Sequence, residues 1–220
     1  MADRWATFDC YGTLVDWNGG IGDQLGRLFG DESRDRLLAR YHELEPEIEA
    51  GHPGMRYRNV MALALGRIAD EENLELAPGE EDALGRSLPD WRVFAEVPAA
   101  LDRARADGFW LCILSNSDPE LIEASMNRIG VHFDDAITAS EIGSYKPAHG
   151  HWRAFADRHG RLPDVHVGAS LFHDVGPANE LEIPSVWVNR LAEQAADPRP
   201  TRELGDLAAL PGVLAELVPS

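Results

Sequence analysis

The sequence is short of positive charge, and of lysine above all. Its 220 residues include 20 Lys and Arg against 38 Asp and Glu, for a formal net charge of −18, and Lys146 is the only lysine. A protein of this charge repels phosphate backbones and anionic lipid headgroups, so we expect no nucleic-acid and no membrane partner. A small anionic organic substrate would need a local positive site, for which Lys146 is the first candidate.

Paired cysteines and long apolar runs are also lacking. The two cysteines, Cys10 and Cys112, lie within apolar runs typical of buried strands, so we expect no structural disulfide. The longest apolar runs, such as 109–114, fall far short of the roughly 20 residues that span a bilayer, and the first residues carry no signal-peptide pattern. These absences predict a cytoplasmic location.

What is present is an alternation of short apolar runs with amphipathic patterns. This order predicts an α/β fold, with a Rossmann-like core of right-handed βαβ units and a mostly parallel sheet. In such sheets, ligands bind beyond the carboxyl ends of the strands. The predicted strands are 5–9, 109–114, 136–139, 165–168 and 185–188, and the predicted helices are 98–107, 119–129, 149–159, 177–181 and 207–217.

One stretch interrupts the alternation. Residues 16–94 contain helical patterns over 22–29, 31–49 and 55–72 and no convincing strand. We therefore predict an all-helical cap over 16–94, inserted after the first strand, with residues 1–15 and 95–220 forming the α/β core. A cap in this place would close over the carboxyl edge of the sheet and exclude water from a site there. The alternative is a helical subdomain that only enlarges the core.

Polar side chains follow four of the predicted strands. Asp9, Ser115 and Asp174 come after the first, second and fourth strands, and Lys146 follows the third. Taken singly, each has an ordinary structural explanation as a loop cap, a turn residue, an N-cap or a surface lysine. Because the carboxyl ends of parallel strands meet at one edge of a sheet, their order along the chain predicts one shared site.

Four segments resemble the motifs of the haloacid dehalogenase (HAD) superfamily. They are Phe-Asp-Cys-Tyr-Gly-Thr-Leu at 8–14, Leu-Ser-Asn at 114–116, Tyr-Lys-Pro at 145–147, and the segment 167–174, which ends at Asp174. The resemblance spans the chain and implies a HAD core, with residues 16–94 corresponding to the helical cap of the superfamily.

Two positions distinguish the reactions of that superfamily. Its phosphatases have an acidic residue two positions after the nucleophile and another in the last motif for Mg²⁺, where this sequence has Tyr11 and Ala169. Their absence removes oxygen ligands that Mg²⁺ prefers. The pattern Asp-x-Tyr-Gly-Thr instead resembles the L-2-haloacid dehalogenases, which displace halide without a metal. The resemblance therefore implies a metal-independent hydrolase with no cofactor.

The resemblance also implies a role for each site residue. Asp9 would attack C2 of an L-2-haloacid, displace halide with inversion and form an ester, and Asp174 would activate the water that releases a D-2-hydroxy acid. A carboxylate held in line and away from water is a competent nucleophile. Lys146 would orient Asp9. The remaining candidates are Arg40 and Asn116 for the halide, Thr13 and Ser115 for the substrate carboxylate and the nucleophile, Tyr11 as a further substrate-binding residue and Trp152 as an aromatic wall.

Departures from the family pattern leave other reactions open. Ala169 and Leu171 stand where the characterised dehalogenases have a serine and an asparagine, which reduces the polar support for the water and the lysine. The same nucleophile would open a strained ring next to a carboxylate, as in azetidine carboxylate. A Mg²⁺-dependent phosphatase of small metabolites and a non-catalytic binding module are further alternatives. The family also forms homodimers through the cap, and the apolar faces of the cap helices are compatible with one here.

Overall fold

The core of the protein is a six-stranded parallel sheet. The computed structural model describes residues 4–194 and 197–219. The strands are β1 (Arg4–Phe8), β2 (Phe109–Ser115), β3 (Asp135–Thr138), β4 (Val165–Gly168), β5 (Ser185–Val188) and β6 (Arg202–Leu204). They pair in parallel in the order β3-β2-β1-β4-β5-β6. Chain order therefore runs outward from β1 on one side and from β4 on the other, which places the ligand-binding crevice at the carboxyl ends of these two strands.

Helices fill the connection from β1 to β2. Residues 16–94 form α1 (Trp17–Phe29), α2 (Arg34–Gly51), α3 (Tyr57–Glu72) and α4 (Ala83–Ser87), with one 3₁₀ turn before α2 and another after α4. We use the name cap for this stretch. Their buried faces pack on one another through side chains such as Leu25, Leu37 and Leu65. Helix α1 begins before the predicted start because the Asp16 carboxylate accepts a hydrogen bond from Gly19 N and caps it.

The remaining helices cover the sheet. They are α5 (Val97–Ala106), α6 (Pro119–Ile129), the short α7 (Ala139–Ile142), α8 (Gly150–His159), α9 (Gly176–Glu180) and α10 (Leu210–Leu217). The central strands need this cover because they are buried on both faces, as parallel strands are. In β1, for example, Ala6, Thr7 and Phe8 are fully buried. The predicted α/β class with a mostly parallel sheet is confirmed.

The structure contains two elements that were not predicted from the sequence. Strand β6 was not predicted, because a three-residue edge strand with two exposed residues gives no apolar run. The segment after β4 forms a π-helical turn over Leu171–Val175 that leads into α9.

Within the described residues, no helix combines the length and apolarity needed to cross a bilayer.

Candidate active site

The loop after β1 positions the Asp9 carboxylate. The backbone N–H of Asp9 extends the β1–β4 pairing by donating to Val167 O at 2.9 Å. Two following backbone N–H groups donate to Cys10 O, and Gly12 adopts a φ of +90°, a conformation that favours glycine. This turn returns Thr13 to the strand end, where Thr13 Oγ1 donates to Asp9 Oδ2 at 2.8 Å. The loop thus fixes one oxygen of the carboxylate.

Lys146 joins Asp9 to Asp174. Its Nζ donates to Asp9 Oδ1 at 2.9 Å and to Asp174 Oδ1 at 2.6 Å, and its side chain is 1% exposed. Asn116 anchors the backbone there, since Lys146 N donates to Asn116 Oδ1 at 2.6 Å and Asn116 Nδ2 donates to Lys146 O at 3.0 Å. The only lysine of the chain therefore supplies the positive charge between two carboxylates at the switch point.

The turn after β4 holds Asp174 close to the sheet. Asp174 Oδ2 accepts from Ser170 N at 3.1 Å, and Asp174 Oδ1 lies 3.2 Å from His166 Nε2. A side chain at Gly168 would collide with the Asp174 carboxylate, so glycine is required for this close approach. Together with Lys146, these contacts fix both oxygens of Asp174.

A buried histidine lies behind Asp174. His166 is 1% exposed, and its Nδ1 lies 2.9 Å from Thr7 Oγ1. Because an ionised carboxylate only accepts hydrogen bonds, His166 Nε2 carries the proton that faces Asp174. His166 was not predicted as a site residue, because it lies inside an apolar strand where periodicity cannot show a polar role.

Burial and the lysine set the protonation of the two carboxylates. Burial raises the pKa of Asp9 above its ordinary value, and the charge of Lys146 opposes this effect. Burial would also raise the pKa of Asp174, but the Lys146 charge and the His166 hydrogen bond hold it well below its ordinary value. Burial alone would lower the pKa of Lys146, whereas the charges of Asp174 and Asp9 raise it overall. The cluster therefore contains an ionised Asp174 and a charged Lys146.

The cluster opens into a cavity of about 620 Å³ between the core and the cap. Asp9, Lys146 and Asp174 line it from the core, and Trp17, His42, Glu45 and Glu49 are among the cap residues that line it. A cavity of this size and composition accommodates a small organic molecule beside the Asp9 carboxylate.

Four predicted residues lie at or beside this cavity. Ser115, Asn116 and Tyr11 line it, and Thr13 contacts Asp9 directly. The Tyr11 hydroxyl is engaged away from Asp9, because it donates to Leu121 O at 3.2 Å and lies 3.0 Å from Ser125 Oγ. Tyr11 therefore offers its ring, and not its hydroxyl, to the site.

The structure does not bring Arg40 to the cavity, which corrects the prediction. The Arg40 guanidinium donates to Glu71 at 2.7 and 2.9 Å and to Glu43 at 2.6 Å on the outer side of the cap. The cavity face of α2 is formed instead by His42, Glu45, Pro46 and Glu49. Side chains three and four positions apart share a helix face, and Arg40 lies on a different face from Glu45 and Glu49.

Trp152 is also outside the cavity. It is fully buried in a second apolar cluster with Trp5 and Phe155, and its ring meets the His166 ring at 5.2 Å. Its position in α8, packed on the sheet below the strand ends, explains why it forms no wall of the cavity. Trp152 instead packs the histidine that supports Asp174.

The part of the chain that the structure describes contains no group of three His, Cys, Asp or Glu side chains arranged to hold a metal ion. Tyr11 and Ala169, the two positions where the resemblance places carboxylates in phosphatases, both line the cavity. Among the described residues, the side chains that donate hydrogen bonds to Asp9 are Lys146 and Thr13.

Most of the chain matches the model of a known protein family. The model of the haloacid dehalogenase-like hydrolases matches residues 4–180, a range that includes Asp9, Lys146 and Asp174. The chain belongs to this family of hydrolases.

Curated relatives within the family share low identity over most of their length. The chain is 24% identical over 192 residues to (S)-2-haloacid dehalogenase 4A of Burkholderia cepacia, covering 85% of this chain and 83% of the relative. It is 26% identical over 221 residues to (S)-2-haloacid dehalogenase 2 of Pseudomonas sp. (strain CBS-3), covering 96% and 95%.

Solved structures share the fold. The L-2-haloacid dehalogenase from Xanthobacter autotrophicus with chloropropionic acid covalently bound matches with a TM-score of 0.84 at 16% identity, covering 97% of this chain and 98% of that one. A dehalogenase with an intermediate complex matches with a TM-score of 0.87 at 20% identity, covering 98% and 99%.

Proposed function

We propose that the chain is a metal-independent hydrolase that forms an ester on Asp9, and that its reaction is the hydrolytic dehalogenation of L-2-haloacids to D-2-hydroxy acids. The observation that carries the proposal is the Asp9–Lys146–Asp174 cluster, which opens into the cavity between the core and the cap. The similarity to (S)-2-haloacid dehalogenases supports the choice of reaction.

The first step is nucleophilic substitution by Asp9. Thr13 and Lys146 each hold one oxygen of the carboxylate, which restricts its orientation toward the cavity. An oxygen of Asp9 attacks C2 from the side opposite the halogen, the C2–halogen bond breaks, and halide leaves with the bonding electron pair. The protein contributes to such a step mainly by holding the Asp9 carboxylate in line with the reacting carbon.

The second step is hydrolysis of the ester by water. Asp174 is ionised, lines the same cavity, and accepts a proton from water as the water oxygen attacks the carbonyl carbon of the Asp9 ester. The C–O bond between this carbonyl and the product breaks, and the product oxygen takes the proton. One oxygen of the Asp9 carboxylate therefore comes from solvent after each turnover.

Isotope labelling tests both steps. The protein, at high concentration, is incubated with L-2-chloropropionate in H₂¹⁸O with excess EDTA, chloride is measured, and the peptide containing Asp9 is weighed after digestion. We expect chloride release and ¹⁸O in that peptide. The Asp9→Asn variant should release no chloride, whereas the control Asp102→Asn, on the exposed face of α5, should match the unaltered protein.

Two results would contradict the proposal. Chloride release without label in the Asp9 peptide would move the nucleophile elsewhere. Absence of chloride together with Mg²⁺-dependent phosphate release from p-nitrophenyl phosphate would favour the phosphatase alternative. A cytoplasmic location and a homodimer through the cap stay predictions from the sequence, and light scattering on the purified protein tests the dimer.

A further inference from the structure

The cap side of the cavity carries two carboxyl groups. Glu45 and Glu49, which we call the acidic pair, lie one turn apart on α2 and both line the cavity that contains Asp9. Residues four apart share one face of a helix, so the pair forms a continuous wall opposite the strand ends. Glu49 is only 5% exposed, and Glu45 is half-buried.

Neutral groups, and no cation, satisfy the acidic pair. Glu45 Oε1 accepts hydrogen bonds from the hydroxyls of Tyr57 at 2.6 Å and Tyr41 at 3.3 Å. Glu49 Oε2 accepts from Asn116 Nδ2 at 3.2 Å. Among residues 4–194 and 197–219, no Lys or Arg forms an ion pair with either glutamate, and Glu49 Oε1 has no hydrogen-bond donor. Glu49 Oε1, which receives no donor from the described residues, is therefore an acceptor that a ligand in the cavity can reach.

Burial makes ionisation of the acidic pair unfavourable. Burial raises the pKa of Glu45 to about 7, and the negative charge of Asp9 adds to the effect. Burial raises the pKa of Glu49 to about 9, with a further contribution from the charge of Glu45. A bound cation favours the ionised form of a carboxyl group and would replace the proton that the pair otherwise holds.

The two side chains predicted to bind the halide, Arg40 and Asn116, form hydrogen bonds with other groups of the protein. Arg40 is paired with Glu71 and Glu43 outside the cavity, and the Asn116 amide donates to Glu49 and to Lys146 O. A negatively charged group next to α2 would therefore meet no available cation there among the described residues, and it would disfavour the ionised form of both glutamates.

The lysine and arginine side chains that line the cavity lie on its core side. The lysine and arginine side chains among the described lining residues are Lys146 and Arg190, and both belong to the core. Arg190 donates to Thr13 O at 2.8 Å and lies over the Phe94 ring, with its Cζ 3.6 Å from the ring centroid. Lys146 is shared between Asp9 and Asp174, and Arg190 pairs with Glu96 at 2.7 Å. Among the described lining residues, lysine and arginine thus occur on the core side and the acidic pair on the cap side, an arrangement compatible with a substrate that has a charge of each sign.

We propose that Glu45 and Glu49 bind a positively charged nitrogen of the substrate, so that the preferred substrates are 2-substituted carboxylates that also carry an ammonium group. The inference rests on the proposed function, in which Asp9 attacks C2. The carboxylate of the substrate lies toward the core and its ammonium group toward α2. The ammonium group is bound and not consumed: the C2–halogen bond breaks, and the halide leaves with the electron pair.

Matched substrates test the inference. Each ammonium compound is compared with an isostere in which a methyl group replaces the ammonium: (S)-2-chloro-4-aminobutyrate with (S)-2-chloropentanoate, and (S)-2-chloro-6-aminohexanoate with (S)-2-chloroheptanoate. Chloride release is measured as kcat/KM, with a no-enzyme blank for cyclisation. We expect the ammonium member of at least one pair to be preferred by about 30-fold, the order of effect of a buried charge pair.

Variants of α2 assign the preference to the acidic pair. Glu45→Gln and Glu49→Gln keep the shape and one acceptor oxygen but remove the charge, and each should lower the preference at least about tenfold. Glu47→Gln changes an exposed glutamate on the same helix and should leave the preference intact. Equal or faster turnover of the isosteres at both chain lengths, or a preference that survives the double Glu45→Gln, Glu49→Gln variant, would overturn the inference.

A binding measurement separates this inference from the proposed reaction. Calorimetry compares (R)-2-hydroxy-4-aminobutyrate with (R)-2-hydroxypentanoate on the unaltered protein, in two buffers of different ionisation enthalpy at pH 7.5. Tighter binding of the ammonium ligand with release of protons supports the acidic pair as its site, even where no chloride is released and the dehalogenation proposal has failed. Equal affinities in this pair and in the longer pair, (R)-2-hydroxy-6-aminohexanoate and (R)-2-hydroxyheptanoate, overturn the inference, even where chloride release succeeds.

Discussion

Replacing Lys146 by methionine should lower the stability of the folded protein as well as stop the reaction. The lysine ammonium lies 2.9 Å from Asp9 and 2.6 Å from Asp174, and the Lys146 and Asp174 side chains are 1% and 2% exposed. Methionine fills a similar volume but leaves two carboxyl groups without a cation. Removing one partner of a buried ion pair costs about 3–5 kcal/mol. At this chain length, that corresponds to a fall in Tm of about 6–20 °C.

The pH dependence of this effect has a definite sign. In the unaltered protein, the lowered pKa of Asp174 contributes stability above its ordinary value of 3.8, and this contribution is lost as the pH falls. In Lys146→Met, burial without a cation raises the pKa of both carboxyl groups, so stability is lost as the pH rises. The difference in Tm between the two proteins should therefore shrink from pH 8 to pH 5.

Thermal unfolding followed by circular dichroism at the two pH values measures the effect. The double variant Lys146→Met, Asp174→Asn removes one of the two stranded charges and should regain about half of the lost Tm. Arg103→Met removes an exposed cation paired with Asp107 and should leave Tm nearly unchanged. An unchanged Tm in Lys146→Met at pH 8, or a difference that grows toward pH 5, would refute the reasoning.

Further predictions concern the residues around the cluster. His166→Leu should slow hydrolysis of the ester about tenfold more than its formation, seen as a burst of one chloride per enzyme, and His166→Gln should restore part of the rate because it keeps a donor. Gly168→Ala should displace Asp174 and lower kcat by about 10²-fold. Arg40→Ala should keep kcat/KM within about twofold of the unaltered protein, as should the control Arg36→Ala. On the acid side, kcat/KM should fall as Asp9 is protonated, with a midpoint above the ordinary value of 3.8 because burial raises this pKa.

The fold could be predicted because each strand and helix of the core has a recognisable pattern within its own residues. The strands of the inner sheet are apolar runs bounded by turn residues, and the polar groups at their carboxyl ends follow from parallel pairing. Asp9, Lys146 and Asp174 could therefore be expected in one place before any contact was known. Strand β6 could not, because a short exposed edge depends on its neighbour more than on its own residues.

The rest of the site depends on which face of a helix or strand points inward. Arg40 and Glu45 occur in one short segment of α2. The family resemblance predicts the arginine as a site residue, but in the packed cap the glutamate lines the cavity and the arginine pairs with Glu71. Glu49 was missed because only the packed structure shows which face of α2 lines the cavity, and Glu49 lies on that face one turn after Glu45. His166 was missed because a polar residue in a buried strand shows no partner until Asp174 is placed beside it.

The burial of Lys146 has a practical consequence for handling the protein. Reagents that modify lysine side chains, such as active esters for dyes, surface coupling or cross-linking, have a single lysine to attack, and its amine is enclosed by two carboxylates. The folded protein should therefore resist labelling at lysine, and the fraction labelled at Lys146, determined from the peptide that contains it, would count molecules in which the cluster has opened. Amine acylation thus offers a chemical probe of local unfolding at the nucleophile, without a spectroscopic tag.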